Sequence, residues 1–213
     1  MSFNDFGKVL VLAAHTDDVE FGCGGTVARL LEENREVHYA VFSEMTTSRD
    51  YPPGTTSREL GAARKALGFA DGGRDRLNTW NFPIRKLPTF RQEILDILID
   101  FRDGLKPDLV LAPSLHDTHQ DHHTIAEEAV RAFRRQTLLG YECPWNNFTF
   151  DYQAFVRLDE KQAKAKIAAC CCYNSQQHRA FTDADFIWGQ LRARGQMVGT
   201  EYAEAFEVYR WSI

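Results

Sequence analysis

Residues 9–18 of the chain read VLVLAAHTDD. The first six form a short apolar run bounded by polar residues, which is typical of a β-strand buried on both faces. Apolar residues at helical spacing follow within residues 24–33, and residues 37–42, VHYAVF, form a second apolar run. This order predicts a strand, a helix and a strand joined by a right-handed crossover, which is how a doubly wound sheet begins.

The rest of the chain continues the alternation of helices and strands. Periodicity predicts helices over residues 58–67, 89–101, 124–133 and from 159 to about 171, and strands over residues 108–112 and 204–211. The last strand alternates apolar and polar residues, which predicts one solvent-exposed face. Residues 43–57 are predicted to form a loop at the carboxyl edge of the second strand.

Residues 138–145 contain Gly140 and Pro144, and we predict that they form an irregular segment outside the sheet. Repeats, linkers and low-complexity tracts are absent from the sequence. The pattern therefore predicts a single domain over residues 1–213, of the α/β class, with a mostly parallel sheet and helices on both faces.

The composition excludes several classes of protein. With 44% hydrophobic residues, the chain can bury one sizeable core. The net charge of -5 comes from charges that are spread without long blocks of one sign, so no nucleic-acid surface is expected. Residues 1–6 lack a signal-peptide pattern, and no apolar run reaches the roughly 18 residues of a membrane span. We therefore expect a soluble, cytoplasmic protein.

The five cysteines do not predict a disulfide framework, because their number is odd and Cys170, Cys171 and Cys172 are consecutive. A thiolate metal site would need CxxC spacing, which the sequence lacks. We interpret the triplet as small buried residues at the end of a helix.

The polar residues after the first strand indicate a metal site. Neighbouring carboxylates, here Asp17 and Asp18, repel each other unless a cation or a shared proton compensates them. Residues 119–123, HQDHH, follow the strand over 108–112, and ligands in open α/β sheets bind beyond the carboxyl ends of strands. His15 and Asp18 with His122 would give two nitrogens and one oxygen. This set suits zinc with one position open for water, and another divalent metal such as Fe²⁺ is an alternative.

The remaining polar groups provide acid and base chemistry for hydrolysis. Zinc lowers the pKa of a bound water from about 15.7 toward roughly 7, so a nearby carboxylate can take its proton. Asp17 is the expected base, and it would return the proton to a leaving amine. A protonated His119 would stabilise charge on the carbonyl oxygen, and Asp121 would hold that imidazole charged and oriented.

Other interpretations of single residues stay open. His15 alone could bond to the backbone, and the two aspartates alone could cap a turn or a helix. His116, Asp117 and His123 are interpreted as solvated loop or helix-start residues, although His116 could replace His119 as the electrophile. Residues 22–25, GCGG, lack the GxGxxG spacing of a dinucleotide-binding loop. We interpret these glycines as room for the turn and for close helix packing.

Residues 14–18 and 22–26 together with His119-x-Asp121-His122 resemble the LmbE-like, or PIG-L, family of zinc-dependent de-N-acetylases. Weaker similarity extends through residues 58–68, 173–176 and 202–206. The resemblance implies a Rossmann-like, LmbE-like fold, zinc held by His15, Asp18 and His122, Asp17 as general base and His119 as the second catalytic histidine. It also implies a small amino-sugar conjugate as substrate, because family members remove acetyl from N-acetylglucosamine linked to inositol, malate or other aglycones.

The chain departs from the family pattern at two positions. Thr16 stands where the commonest family motif has proline, and this change removes no ligand. The substrate-contacting arginine of some members lies three residues before the glutamate that matches Glu59, where this chain has Thr56. Arg58, beside that glutamate, is the candidate substrate-binding residue.

Two other functions are consistent with the same residues. The first is a zinc-dependent amidase or deacylase acting on a non-sugar amide, with its specificity set by residues 43–57 and 138–147. The second is a non-catalytic metal-dependent binding module, which the free Asp17 and His119 disfavour, because a structural site needs no spare base. Aromatic residues near the C-terminus suggest a homo-oligomer contact.

Overall fold

A computed structural model describes residues 6–44, 51–70 and 76–212. Its strands are β1 Lys8–His15, β2 Glu36–Ser43, β3 Arg76–Thr79, β4 Leu109–Pro113, β5 Thr137–Tyr141, β6 Ala154–Leu158 and β7 Tyr202–Arg210. Its α-helices are α1 Asp18–Glu32, α2 Thr55–Leu67, α3 Arg91–Gly104, α4 Gln120–Ala132, α5 Glu160–Cys170 and α6 Ala184–Met197. Short 3-10 helices lie at Leu87–Phe90, Asn174–Gln176 and Ala180–Thr182.

The strands form one sheet in the order β3-β2-β1-β4-β5-β7-β6. The first five strands in this order are parallel, and β7 is antiparallel to both of its neighbours. The predicted mostly parallel α/β class is therefore confirmed. The chain moves outward from β1 in both directions, so the loops after β1 and β4 leave the same edge of the sheet as neighbours.

Two hydrophobic cores cover the two faces of the sheet. Successive residues of a strand point to opposite faces, so Val9 and Val11 lie in one core while Leu10 and Leu12 lie in the other. The first core packs against α1, α2, α5 and α6, and the second packs against α3 and α4. This arrangement buries β1 on both of its faces.

Two predictions for the second half of the sheet were wrong. The prediction that residues 138–145 are irregular was wrong for residues 138–141, which belong to β5, a fully buried strand between β4 and β7. Residues 142–145 are irregular, as predicted. The backbone at Gly140 lies so close to the side chain of Tyr209 that only glycine fits, since a Cβ would lie 2.5 Å from the hydroxyl oxygen of Tyr209. The predicted exposed face of β7 is also wrong, because its polar residues Glu204 and Glu207 are buried and hydrogen-bonded.

Helix boundaries differ from the predictions mainly at N-termini. α1 begins at Asp18 rather than at residue 24, and Cys23 interrupts it with φ -139° and ψ 26°. α2 begins at Thr55, so the predicted loop over 43–57 is shorter; residues 45–50 of it lie outside the described residues. β3, β6 and α6 were not predicted.

The cysteines are free thiols, as expected from their number and spacing. Cys170 is buried, but Cys171 is exposed, so the triplet is only partly the buried group that we predicted. None of the helices within residues 6–44, 51–70 and 76–212 has the length and apolar character of a membrane span.

Candidate metal centre and active-site cleft

The loops that follow β1 and β4 bring the two predicted clusters together. β1 ends at His15 and α1 begins at Asp18, so only Thr16 and Asp17 separate strand from helix. On the neighbouring strand, residues 114–119 lead from β4 to α4, and His119 is the N-cap of that helix. His122 therefore lies in the first turn of α4, opposite the loop after β1.

His15, Asp18 and His122 present three donor atoms to one point. His15 Nδ1 lies 3.2 Å from His122 Nε2 and 3.6 Å from Asp18 Oδ1, and His122 Nε2 lies 3.1 Å from the same oxygen. Asp18 Oδ2 accepts a hydrogen bond of 2.7 Å from the backbone N–H of His15, which leaves Oδ1 for the cluster.

This triangle fits a tetrahedral metal. Ligands about 2.0–2.1 Å from a tetrahedral zinc lie about 3.3 Å from one another, close to the distances above. Two further groups in the described residues could hold an ion, namely His15 with His119 and Asp121, and Asp117 with His122 and Cys143. The three donors of His15, Asp18 and His122 all border the cleft, whereas Asp117, Asp121 and Cys143 do not. Among these three groups of described residues, only the group of His15, Asp18 and His122 has all of its members at the cleft.

Carboxylates hold the other nitrogen of each imidazole. His122 Nδ1 lies 2.7 Å from Asp117 Oδ2, and His15 Nε2 lies 3.0 Å from Asp121 Oδ2. Such partners orient a metal-binding histidine and fix its tautomer. His15, Asp18 and His122, with these supporting carboxylates, could therefore hold a metal ion.

The charges of the cluster are also compatible with a bound metal ion. Burial lowers the pKa of His15, but Asp18 and Asp121 outweigh it and raise that pKa to about 9. Burial raises the pKa of Asp18, yet His122 and His15 hold it well below its ordinary value. Protons on the imidazoles thus balance the carboxylates, and a divalent cation could take their place.

A cleft of about 460 Å³ opens above the cluster, a size typical of small-molecule sites. Asp17 and His119 border it beside the three donor residues. Asp17 is the N-cap residue of α1, but its side chain does not cap the helix. Burial and the neighbouring charge of Asp18 raise the pKa of Asp17 to about 6.

Aromatic residues form one wall of this cleft. The rings of Trp145 and Phe181 are stacked, with centroids 3.9 Å apart and planes at 10°, and Phe21 contacts both edge-on. The guanidinium of Arg179 lies 5.7 Å from the centroid of Phe181, and Arg85 borders the cleft from the connection before α3. Sequence analysis missed both arginines, because neither belongs to a motif.

Arg58 is not brought into the cleft. Its guanidinium bonds to Thr55 Oγ1 at 3.0 Å and to the carbonyl of Pro53, at the start of its own helix. Thr56, which stands at the family arginine position, does border the cleft. Tyr51 and Asn146 border it too, so both loops that we predicted to determine specificity contribute to it.

Several predicted contacts differ in the structure. Asp121 does not hold His119 through its carboxylate; instead its backbone N–H donates to His119 Nδ1 at 3.1 Å. The prediction of a protonated His119 was wrong, since burial and the charges of His122 and His15 lower its pKa to about 4. Asp117 is not a solvated loop residue but a buried partner of His122.

His116 and His123 lie outside the cluster. His116 Nδ1 bonds to Glu207 Oε1 at 2.5 Å, away from the cleft, so the structure does not place it where it could replace His119. His123 bonds to the carbonyl of Leu115 at 2.9 Å. Neither is part of the donor triangle.

Comparisons with known proteins relate this cleft to a family. The relative YaiS, named as an uncharacterized deacetylase of Escherichia coli strain K12, is 28% identical over 174 residues, which cover 79% of this chain and 91% of YaiS. A diacetylchitobiose deacetylase of Thermococcus kodakarensis is 29% identical over 141 residues, which cover 60% of this chain and 51% of that protein.

A solved structure shows the same fold. The N,N'-diacetylchitobiose deacetylase of Pyrococcus horikoshii superimposes with a TM-score of 0.75 at 20% identity, covering 99% of this chain and 88% of that chain. Residues 10–133 match the family described as PIG-L: GlcNAc-PI de-N-acetylase. Because this match covers more than half of the chain and includes both clusters, the protein belongs to the PIG-L family, which is also called LmbE-like.

Proposed function

We propose that this protein is a metal-dependent hydrolase that removes the acetyl group from an N-acetylated amino sugar. One observation carries the proposal: the donor atoms of His15, Asp18 and His122 lie 3.1–3.6 Å apart beneath a cleft that Asp17 and His119 also border. The family and its deacetylase relatives support hydrolysis of an acetamide.

Zinc is the proposed metal because two imidazoles and one carboxylate suit it, and Fe²⁺ is the alternative. When bound, it would act as a Lewis acid on the acetamide carbonyl and make water more acidic. The role of His15, Asp18 and His122 is to hold the ion with one position toward the cleft. Asp117 and Asp121 keep both imidazoles in the orientation that this requires.

Asp17 is the proposed general base. Its carboxylate is free of helix capping, and its pKa of about 6 lies close to neutral pH, where a carboxylate base is most effective. It takes a proton from the attacking water and returns it to the amide nitrogen as the C–N bond breaks. One carboxylate then serves as base and afterwards as acid.

His119 is the proposed donor to the developing oxyanion. Because Nδ1 accepts the backbone N–H of Asp121, the neutral ring carries its proton on Nε2. That N–H can stabilise negative charge on the carbonyl oxygen without a protonated imidazole.

The upper cleft is the proposed sugar subsite. The stacked rings of Trp145 and Phe181 offer apolar surface for the C–H groups of a pyranose, and the exposed residues Arg85 and Arg179 can donate to hydroxyl or anionic substituents. We assign substrate binding to these residues; Arg58 is the weaker candidate because its guanidinium faces its own helix.

Acetate release from a panel of substrates tests the proposal. The panel contains N-acetylglucosamine, its glycosides, diacetylchitobiose and non-sugar acetamides. We expect turnover of sugars that a chelator abolishes and added zinc restores. Asp17→Asn should lower kcat about 100-fold or more with unchanged metal content, whereas the exposed Asp103→Asn should have no effect.

Three outcomes would contradict the proposal in different ways. Undiminished turnover by Asp17→Asn would show that Asp17 is not the general base. Hydrolysis restricted to non-sugar amides would favour the alternative function, a metal-dependent amidase or deacylase. Tight metal binding without hydrolysis of any member of the panel would favour a binding module.

A further inference from the structure

Helix α1 is broken where it approaches the proposed metal site. Cys23 has φ -139° and ψ 26°, far from the φ of about -63° of a regular helix, so the turn that begins at Asp18 is set off from the remainder. A break of this kind leaves backbone N–H and C=O groups without helical partners, and buried groups need other partners.

Two distant side chains provide these partners. Glu204 of β7 accepts hydrogen bonds from the backbone N–H groups of Gly25 at 2.9 Å and of Thr26 at 2.6 Å, after the break. Lys166 of α5 lies 3.4 Å from the carbonyl oxygen of Gly22, before the break. The two side chains pair with each other at 2.7 Å. One ion pair therefore caps both sides of the interruption.

The pair is completely enclosed. Lys166 is 0% exposed and Glu204 is 3% exposed. Burial lowers the pKa of Lys166, but Glu204 outweighs it and raises that pKa above its ordinary value, so the lysine is charged. A buried ion pair is often no more stabilising than an apolar pair of the same volume, so stability alone does not account for it.

Close packing holds the break in one position. A Cβ on Gly22 would lie 2.3 Å from the Tyr141 ring, and a Cβ on Gly25 would lie 2.4 Å from Leu158. The hydroxyl of Tyr141 also donates to the carbonyl of Leu12 in β1, at 2.9 Å. These contacts fix the position of the first turn of α1 relative to β1, the strand that ends at His15.

We infer that Lys166 and Glu204 are positioning residues of the proposed metal site, because they fix the broken helix whose first turn carries Asp17 and Asp18. This inference rests on the proposed function. Neither side chain borders the cleft, so both act through the backbone of α1. Loss of the pair lets the first turn relax toward the helix axis and moves Asp18 away from the two imidazoles.

Single and double substitutions test this role. The variants are Lys166→Met, Glu204→Gln and the apolar double variant Lys166→Met with Glu204→Leu. The measurements are thermal unfolding, zinc affinity of the metal-free protein by competition with a chelating dye, and kcat and KM separately. Glu204→Gln keeps the shape of the side chain, so it tests the inference if the other variants fail to fold.

We expect the single variants to lose both thermal stability and zinc affinity. The double variant should melt at a higher temperature than Lys166→Met, because no unpaired charge is left, but below the wild type, because the backbone N–H groups of Gly25 and Thr26 lose their acceptor. Its zinc affinity should stay about tenfold lower or more, and kcat should fall more than KM changes. Wild-type affinity in a folded double variant, or in Glu204→Gln, would show a merely structural pair and overturn the inference.

The ion pair between Lys161 and Glu32 is the matched control. It joins α5 to α1 as well, at 2.7 Å, but at the exposed far end of α1. Lys161→Met and Glu32→Gln should leave zinc affinity and kcat unchanged. A wild-type protein that binds no divalent metal would overturn the proposed function and this inference together, whereas equal zinc binding by wild type and double variant overturns the inference alone.

Discussion

Asp121 links His15 to the connection that carries Arg85. Its Oδ2 contacts His15 Nε2 at 3.0 Å and accepts the backbone N–H of Arg85 at 2.5 Å, while Oδ1 accepts that of Leu87 at 3.1 Å. Arg85 has a φ of 64°, a left-handed conformation that a non-glycine residue adopts only when its surroundings hold it. One carboxylate thus orients a proposed metal ligand and a proposed substrate-binding loop.

We expect Asp121→Asn to change both metal binding and KM. An amide in place of the carboxylate cannot accept all three hydrogen bonds, so zinc affinity should fall about 10- to 100-fold. The loop around Arg85 should also lose its anchor and raise KM. Zinc titration and steady-state kinetics measure the two effects.

Asp117→Asn is the matched comparison for this prediction. Asp117 contacts His122 Nδ1 at 2.7 Å and the backbone N–H of His119, but none of its hydrogen bonds run to residues 85–87. Its substitution should weaken zinc binding with a smaller effect on KM. Equal KM changes in both variants would contradict the link between Asp121 and the loop.

Metal binding should release protons at neutral pH. Burial lowers the pKa of His15 and of His122, yet their carboxylate neighbours outweigh it and raise the first to about 9 and the second well above its ordinary value. Protons that these carboxylates hold on the imidazoles must leave when the ring nitrogens bind a metal. Zinc affinity should rise with pH up to about 9.

Calorimetry measures this release. Titrations of zinc in buffers that differ in ionisation enthalpy should give an apparent binding enthalpy that varies with the buffer. His123→Ala, which removes an imidazole outside the cluster, should release as many protons as the wild type. A binding enthalpy independent of the buffer would contradict the charged state of His15 and His122.

The aromatic wall should contribute to substrate binding rather than to the chemical step. Trp145→Ala and Arg179→Ala should raise KM about tenfold, a loss of roughly 1.4 kcal/mol of binding, with little change in kcat. Arg58→Ala provides the control, since its guanidinium faces Thr55. A larger effect of Arg58→Ala than of Arg179→Ala would reverse our assignment of the sugar subsite.

Glu207 should stabilise the fold at neutral pH and lose this effect in acid. Burial raises its pKa, but hydrogen bonds from Ser114, Tyr209 and His116 outweigh it and hold the pKa below its ordinary value of 4.5. A carboxyl whose folded pKa is depressed adds stability above its unfolded pKa. That stability is lost as the pH falls through the folded value.

Glu207→Gln should therefore lower the free energy of unfolding by about 1–3 kcal/mol at pH 7, and the difference between the two proteins should shrink as the pH falls below 4.5. Urea unfolding across this range measures the difference. The exposed Glu93→Gln should follow the wild type at every pH. A difference that persists unchanged in acid would mean that the lost stability comes from packing and not from charge.

Local sequence patterns were sufficient to predict the buried strands β1, β2 and β4 and the position of the two His/Asp clusters after β1 and β4. A short, continuous apolar run is typical of a strand that is covered on both faces of a sheet. The loops that follow neighbouring parallel strands lie at the same edge of the sheet, so the two His/Asp clusters were expected to lie close together. β5 could not be recognised, because Gly140 reads as a breaker until the ring of Tyr209 is known to pack against it.

Sequence periodicity was sufficient to predict the βαβ start and the mostly parallel sheet, and it placed the two His/Asp clusters at one edge of that sheet. The contacts of the buried carboxylates, namely Asp121 with His15, Glu204 with Lys166 and Glu207 with Ser114, became visible in the folded structure alone. Backbone periodicity is a local property. A buried charge, in contrast, is tolerated only where donors from distant parts of the chain surround it.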